Sequence, residues 1–167
     1  MVTSDRATQS ARSLTHVRDL SDTDDVTVAV ENMSSERGGS ARDVVAPSWN
    51  PGELDIDALT LDFSHAGMTG RPVSELAAAW GNRLRHVHLC DSSRDSPQGP
   101  LVGEHPPPGH GVLPVDDVVR ALADHHFEGL VVAEITTRHR GRDEEERATV
   151  LAGTMRFART HLRVNAT

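Results

Sequence analysis

The chain has 167 residues, enough for one domain with a real core, and is somewhat polar, with 37% hydrophobic residues and a mean hydropathy of -0.43. Its formal net charge of -8 counts against a nucleic-acid partner, which would be drawn to a basic face. All 17 basic residues are Arg, which excludes both a Schiff-base lysine and a P-loop lysine.

The single cysteine, Cys90, can form neither an internal disulfide nor a zinc ribbon, and it suits a reducing cytoplasm. Residues 1–13 are polar and lack the apolar core of a signal peptide. No apolar run approaches the roughly 20 residues of a membrane span. A soluble cytoplasmic protein with no membrane partner is therefore expected.

In chain order, residues 1–25 read as an N-terminal tail and helix. Ala11, Leu14, Val17 and Leu20 recur at three-residue steps within residues 8–20. The domain proper is expected over residues 26–164. It starts with a β-branched strand at 26–30 that runs into Glu31 and Asn32. Residues 33–50 read as loop, and Asn50-Pro51-Gly52 starts a turn. A second strand over 58–62 ends on Asp62, and a short loop carrying His65 follows.

Pro72 opens a helix to Trp80 whose apolar face is Val73, Leu76, Ala77 and Trp80. The third strand, 84–89, is followed by Cys90 and Asp91. A long loop from 92 to 111 holds most of the prolines. A helix over 114–125 buries Val115, Val118, Val119 and Leu122. The fourth strand covers 130–135, Thr136 to Gly141 is a basic turn, and a last helix covers 143–162. The apolar members of that helix are Val150, Leu151, Met155, Phe157 and Leu162. Strands alternating with helices predict an α/β fold of right-handed, parallel βα units.

Each of the four strands ends on an ionisable residue: Glu31, Asp62, His88 (with His86 two positions back, on the same face) and Glu134. In a parallel sheet these ends share one rim, so the side chains can converge. Taken singly, each is as well explained as a cap or a solvated charge. Together they form a mixed carboxylate–imidazole set suited to a divalent ion such as Mn²⁺, Mg²⁺, Co²⁺ or Zn²⁺.

Five stretches in order resemble the xylose isomerase-like TIM barrels: residues 28–32 (VAVEN), 59–66 (LTLDFSHA), 86–91 (HVHLCD), 105–111 (HPPPGHG) and 129–135 (GLVVAEI). That family includes sugar-phosphate isomerases and epimerases, with endonuclease IV as a relative. The resemblance implies that Glu31, Asp62, His88 and Glu134 hold the metal. It implies that Glu31 and Glu134 also act as catalytic base and acid beside a metal-polarised carbonyl. His65, His86, Arg94 and His105 would contact the substrate, a small sugar or sugar phosphate. Gly109 and Gly111 would supply positive φ in the proline loop. His16, His110, His125, His126, His139 and His161 read as surface or loop residues.

A complete (β/α)₈ barrel takes about 250 residues. Four strands correspond to the C-terminal half of one, a partial barrel with two open edges. This leaves open a non-catalytic remnant, a homo-oligomer, or an assembly half that pairs with a missing N-terminal half. An endonuclease IV-like phosphodiesterase would place an aspartate where Gly103 stands, with Glu104 beside it, and the net charge of -8 disfavours DNA.

Overall fold

The computed structural model describes residues 12–16, 18–19, 26–34, 36–37, 44–46, 49–137 and 143–162. Residues 12–16 and 18–19 are helical and are called α1. The other helices are α2 (Phe63–Met68), α3 (Val73–Trp80), α4 (Val115–Asp124) and α5 (Glu144–His161). The strands are β1 (Val30–Glu31), β2 (Glu36–Arg37), β3 (Val44–Ala46), β4 (Leu59–Asp62), β5 (Leu84–Leu89), β6 (Ser93–Arg94), β7 (Leu101–Val102) and β8 (Leu130–Ala133).

β1, β4, β5 and β8 form one sheet in that order, every pair parallel. Spatial order thus equals chain order, as expected when each strand is followed by a crossover of the same hand. β2–β3 and β6–β7 are antiparallel ribbons inside the stretches expected to be loop. Their strands are too short for an alternating pattern to stand out in the sequence. The expected strand over 26–30 is also shorter than its composition suggested, because pairing with β4 begins only at Val30.

The pleat sorts the residues of the sheet. Pairing slips between Leu59 and Thr60, so that Leu59 faces Leu84 while Thr60 faces His86 and Arg85 is passed over. Leu59, Leu61, Leu84, Val87 and Leu89 therefore bury against the helices. Thr60, Asp62, His86 and His88 lie on the opposite face, beside Leu130 and Val132 of β8. The helices return Val73, Leu76 and Trp80 from α3 and Val115, Val118, Val119 and Leu122 from α4 to one core. These are the positions the helical spacing predicted.

The last helix departs from expectation. Its buried residues are Thr154 and Ala158, whereas Leu151 is 48% and Met155 36% exposed. On the inner face of the sheet, Leu130 is 70% and Val132 44% exposed. A closed barrel would cover both surfaces, and among the described residues nothing does. The same residues include no helix long and apolar enough to cross a membrane.

Candidate metal centre

The four strand ends meet. Glu31, Asp62, His88 and Glu134 each offer one ligand atom, and these atoms lie within 4.8 Å of one another. Parallel register produces this arrangement, since Glu31 ends β1, Asp62 ends β4 opposite His88 of β5, and Glu134 follows β8.

Asp62 is fully buried and divides its two oxygens between two tasks. Where a loop was expected, helix α2 starts at once, and Asp62 is its N-cap: Oδ1 accepts from the His65 backbone N–H at 2.6 Å. Oδ2 is turned toward the cluster, 3.8 Å from His88 Nδ1. Capping and ligation were rival readings of this residue in the sequence; the geometry allows both, one oxygen for each.

Asn32, also buried, holds the end of β1 to this point. Its amide donates to the Asp62 carbonyl at 3.1 Å and its Oδ1 accepts from the Asp62 N–H at 2.8 Å. Asn32→Ala is expected to cost about 1–3 kcal/mol, because both backbone groups lose their partner in a buried site. Denaturant unfolding of the metal-free protein measures this; a midpoint equal to that of the parent would mean water replaces the amide.

The imidazoles form a second tier. His65 Nδ1 lies 3.1 Å from Glu31 Oε1 and 3.1 Å from the Asn32 carbonyl. His88 Nδ1 lies 2.6 Å from Glu134 Oε2 and 3.4 Å from Glu31 Oε1, yet it is buried and makes no well-oriented hydrogen bond among the described residues. A ring nitrogen pressed among carboxylates without a proper hydrogen bond suits a cation ligand. The residues present therefore fit a divalent ion.

Burial works to raise the Glu31 carboxyl, but the His65 and His88 imidazoles beside it outweigh burial and hold the carboxyl down at about 2. His65 is shifted the opposite way: burial lowers it, and Glu31 and Asp62 more than compensate. His88 is raised, chiefly by the Glu31 carboxylate. His86 is lowered by burial and by its neighbour His88, whose ring stands edge-on at 4.8 Å.

The other residues expected at the site are distributed unevenly. His105 joins it, with Nδ1 3.5 Å from Glu134 Oε1 and its ring edge-on to His65 at 5.2 Å. His86 lies deeper along β5, its Nδ1 3.4 Å from the Thr60 hydroxyl, and is outside the four-ligand set. Arg94 is exposed on β6 and donates to the Gly99 carbonyl at 2.7 Å, at the end of its own ribbon. His16, His110, His125 and His126 are exposed, His161 is half-buried against Phe157, and His139 lies outside the described residues.

Asp91 has a role that sequence reasoning missed. It is fully buried just after β5. Its Oδ1 accepts from the N–H groups of Ser92 at 2.7 Å and Leu113 at 2.9 Å, and its Oδ2 from those of Gly109 at 3.1 Å and Gly111 at 2.9 Å. Its own N–H donates to the Pro106 carbonyl at 2.8 Å. The proline loop is thus wrapped around one carboxylate, which sets the place of His105, itself at φ 45°. A glycine-rich loop some 20 residues after a strand-end aspartate was the available signal.

The glycines of this loop differ from expectation in one respect. Gly109 does have positive φ, at 78°, but the structure records none for Gly111. A Cβ on Gly111 would instead run into the Asp91 carboxylate and the Ser92 carbonyl. Gly111→Ala is expected to lower the melting temperature more than Gly109→Ala, which meets no neighbour and carries only the cost of its backbone conformation. Thermal melts of the two variants measure the difference, and the reverse order would count against close packing at Gly111.

Together, a parallel partial βα barrel and a carboxylate–imidazole cluster at its strand ends define a class of protein. A family model described as "Xylose isomerase-like TIM barrel" matches residues 3–161, and the chain belongs to that family. The uncharacterized protein Rv0498 of Mycobacterium tuberculosis is 38% identical over 134 residues, which are 79% of this chain and 46% of its own. The uncharacterized protein ML2432 of Mycobacterium leprae is 36% identical over 166 residues, covering 87% of this chain and 57% of its own. The chain thus spans about half the length of these relatives.

Two solved structures share the fold. A D-tagatose 3-epimerase-like protein superposes with a TM-score of 0.59 at 20% identity, over 90% of this chain and 54% of its own. D-psicose 3-epimerase from Clostridium cellulolyticum H10 gives a TM-score of 0.66 at 18% identity, over 92% and 55%. The expected family and the partial-barrel fold class are both met.

Proposed function

We propose that the protein is a divalent-metal-dependent isomerase or epimerase, or the C-terminal half of one, acting on a small sugar or sugar phosphate. The observation that carries this reading is the convergence of Glu31, Asp62, His88 and Glu134 at the ends of four adjacent parallel strands. The family and the two epimerases that share its fold support it.

Glu31, Asp62, His88 and Glu134 hold the ion, one of Mn²⁺, Mg²⁺, Co²⁺ or Zn²⁺. When bound, it supplies Lewis acidity that acidifies the C–H beside the substrate carbonyl. Glu31 and Glu134 come from the two edge strands of the sheet and so flank the centre from opposite sides. One carboxylate removes the proton and the other returns it, which inverts or relocates the stereocentre. His65 and His105 border the cluster and, with His86 and Arg94, bind and orient the substrate oxygens.

Titration of the chelated protein with each of the four ions tests the reading by melting temperature, beside an epimerisation assay on ketoses and their phosphates. A rise in melting temperature that Glu134→Gln diminishes is expected. If no ion raises it, the metal-dependent reading fails.

A pH dependence follows. Glu31 sits below its ordinary value of 4.5, so its contribution to stability is present above that pH and is lost as pH falls toward about 2. His65 and His88 sit above 6.5, so their contribution is present below 6.5 and is lost as pH rises through their folded values. The metal-free protein should therefore lose stability on going from about pH 6 to about pH 8, while the gain from added ion should grow, because a ligating His88 must be neutral. Melting curves with chelator and with Mn²⁺ measure both trends. A metal-induced gain that shrinks with pH would remove His88 from the ligand set.

A second reading has its own observation. Leu130 at 70% and Val132 at 44% exposure leave the inner face of the sheet open, as in a half-barrel that works only beside a complementary half. Solution mass measured beside the same assay separates the two readings. Activity in the monomer would exclude the need for a second half.

A further inference from the structure

We propose that the cavity between α3 and α4, at the end of the sheet opposite the metal centre, binds a small molecule with an apolar body and an anionic group. It shares no residue with the strand-end cluster, so it stands apart from the metal-dependent reading.

The cavity measures about 760 Å³ and opens where β5 and β8 begin. Its floor is the core itself, since the buried residues Leu84, Val118 and Leu122 line it, and Ala77 and Phe127 add to its apolar wall. Small-molecule sites are typically about 300–1,000 Å³, mostly apolar, with a few polar groups that fix the ligand. Size and lining both match.

Arg85 supplies the charge. Strand pairing slips at this residue, because Thr60 pairs with His86 and Arg85 is passed over, and a bulge of this kind re-aims a side chain. Arg85 is therefore turned away from the inner face that carries His86 and His88, and it stands in the cavity wall beside Leu84. Among the described residues no carboxylate pairs with its guanidinium, although Glu128 stands in the same wall. A planar guanidinium above an apolar floor suits the paired oxygens of a carboxylate, sulfonate or phosphate, and its face stacks on aromatic rings.

The turn after α4 completes the wall. His126 has φ 54°, in a helix-ending position where glycine is usual. A histidine there carries a backbone cost that glycine would not, and it leaves an imidazole in the wall next to that of His125. The same turn takes up the carbonyls that end α4. Ala121, Leu122 and Ala123 accept from the N–H groups of His125, Phe127 and His126, each at 3.0 Å. The negative end of the helix is thereby muted beside the anion.

The test is a fluorescence titration of the chelated full chain with anilinonaphthalene sulfonate, an aromatic anion, beside its uncharged relative phenyl-naphthylamine. One bound dye per chain is expected. Arg85→Gln should weaken the anion by about fivefold or more and leave the uncharged dye within about twofold, since only the anion loses a charge-assisted bond. Glu128→Gln should tighten the anion by removing a like charge from the wall. Ala78→Phe fills the cavity from an exposed helix position and should remove both dyes. Such dyes also seek open apolar faces, so Leu130→Ser is the control on the sheet and should change neither. Arg85 and Ala78 are exposed, so melting temperatures near that of the parent are expected for their variants. Parental affinity in Arg85→Gln or Ala78→Phe, weaker binding in Glu128→Gln, loss of the dyes in Leu130→Ser, or no binding by the parent overturns the proposal.

Discussion

Glu134→Gln is expected to lower proton transfer by a factor on the order of 10²–10⁴, while the chain still folds. The amide keeps the shape of the side chain but cannot take up or return a proton, and it is a poorer ligand than a carboxylate. Glu134 lies beyond the last residue of β8, with its side chain 45% exposed, so little packing depends on it. Its close neighbour is His88 Nδ1, at 2.6 Å. The sharpest readout is exchange of the substrate C–H with deuterated solvent, measured with saturating ion so that weakened binding does not mask lost chemistry. Glu31→Gln should act in the same direction and should also remove the carboxylate that His65 and His88 share. If Glu134→Gln exchanges at the parental rate with metal bound, the proton is carried by another group.

Asp91→Ala should have the largest effect on stability, about 3–4 kcal/mol. One neutral hydrogen bond is worth about 1 kcal/mol net, and bonds to a charged acceptor about 1.5–3. Here four backbone donors converge on one fully buried carboxylate. Because Gly109 is exposed, water can replace part of that loss, which keeps the estimate below the simple sum. Asp91→Asn should be milder, but its NH₂ must face two of the four donors. Denaturant unfolding of both variants measures the cost, and hydrogen exchange at Gly111 and Leu113 should rise in each. Exchange unchanged in Asp91→Ala would show that the loop holds its shape by its prolines alone. Release of the loop should also free His105, weakening the site without touching β1, β4 or β8.

The sequence alone was enough for the order of the four sheet strands and the helices α3, α4 and α5 between and after them, and for the family. The apolar spacings of α3 and α4, the β-branched pair of β8, and the ionisable residue at each strand end are all local patterns. Backbone periodicity produces them wherever the chain goes. Parallel pairing then follows from alternation, so the meeting of Glu31, Asp62, His88 and Glu134 was legible before any coordinates.

What tertiary structure alone decided involves partners far apart in the chain. The split of Asp62 between a helix cap and the cluster depends on α2 beginning one residue later. The grip of Asn32 on Asp62 spans 30 residues, and that of Asp91 on the proline loop about 20. Whether Leu130, Leu151 and Met155 are covered depends on surfaces that no local pattern specifies. Hydrogen-bond acceptors and exposed faces are set by where the chain returns, and only folding determines that.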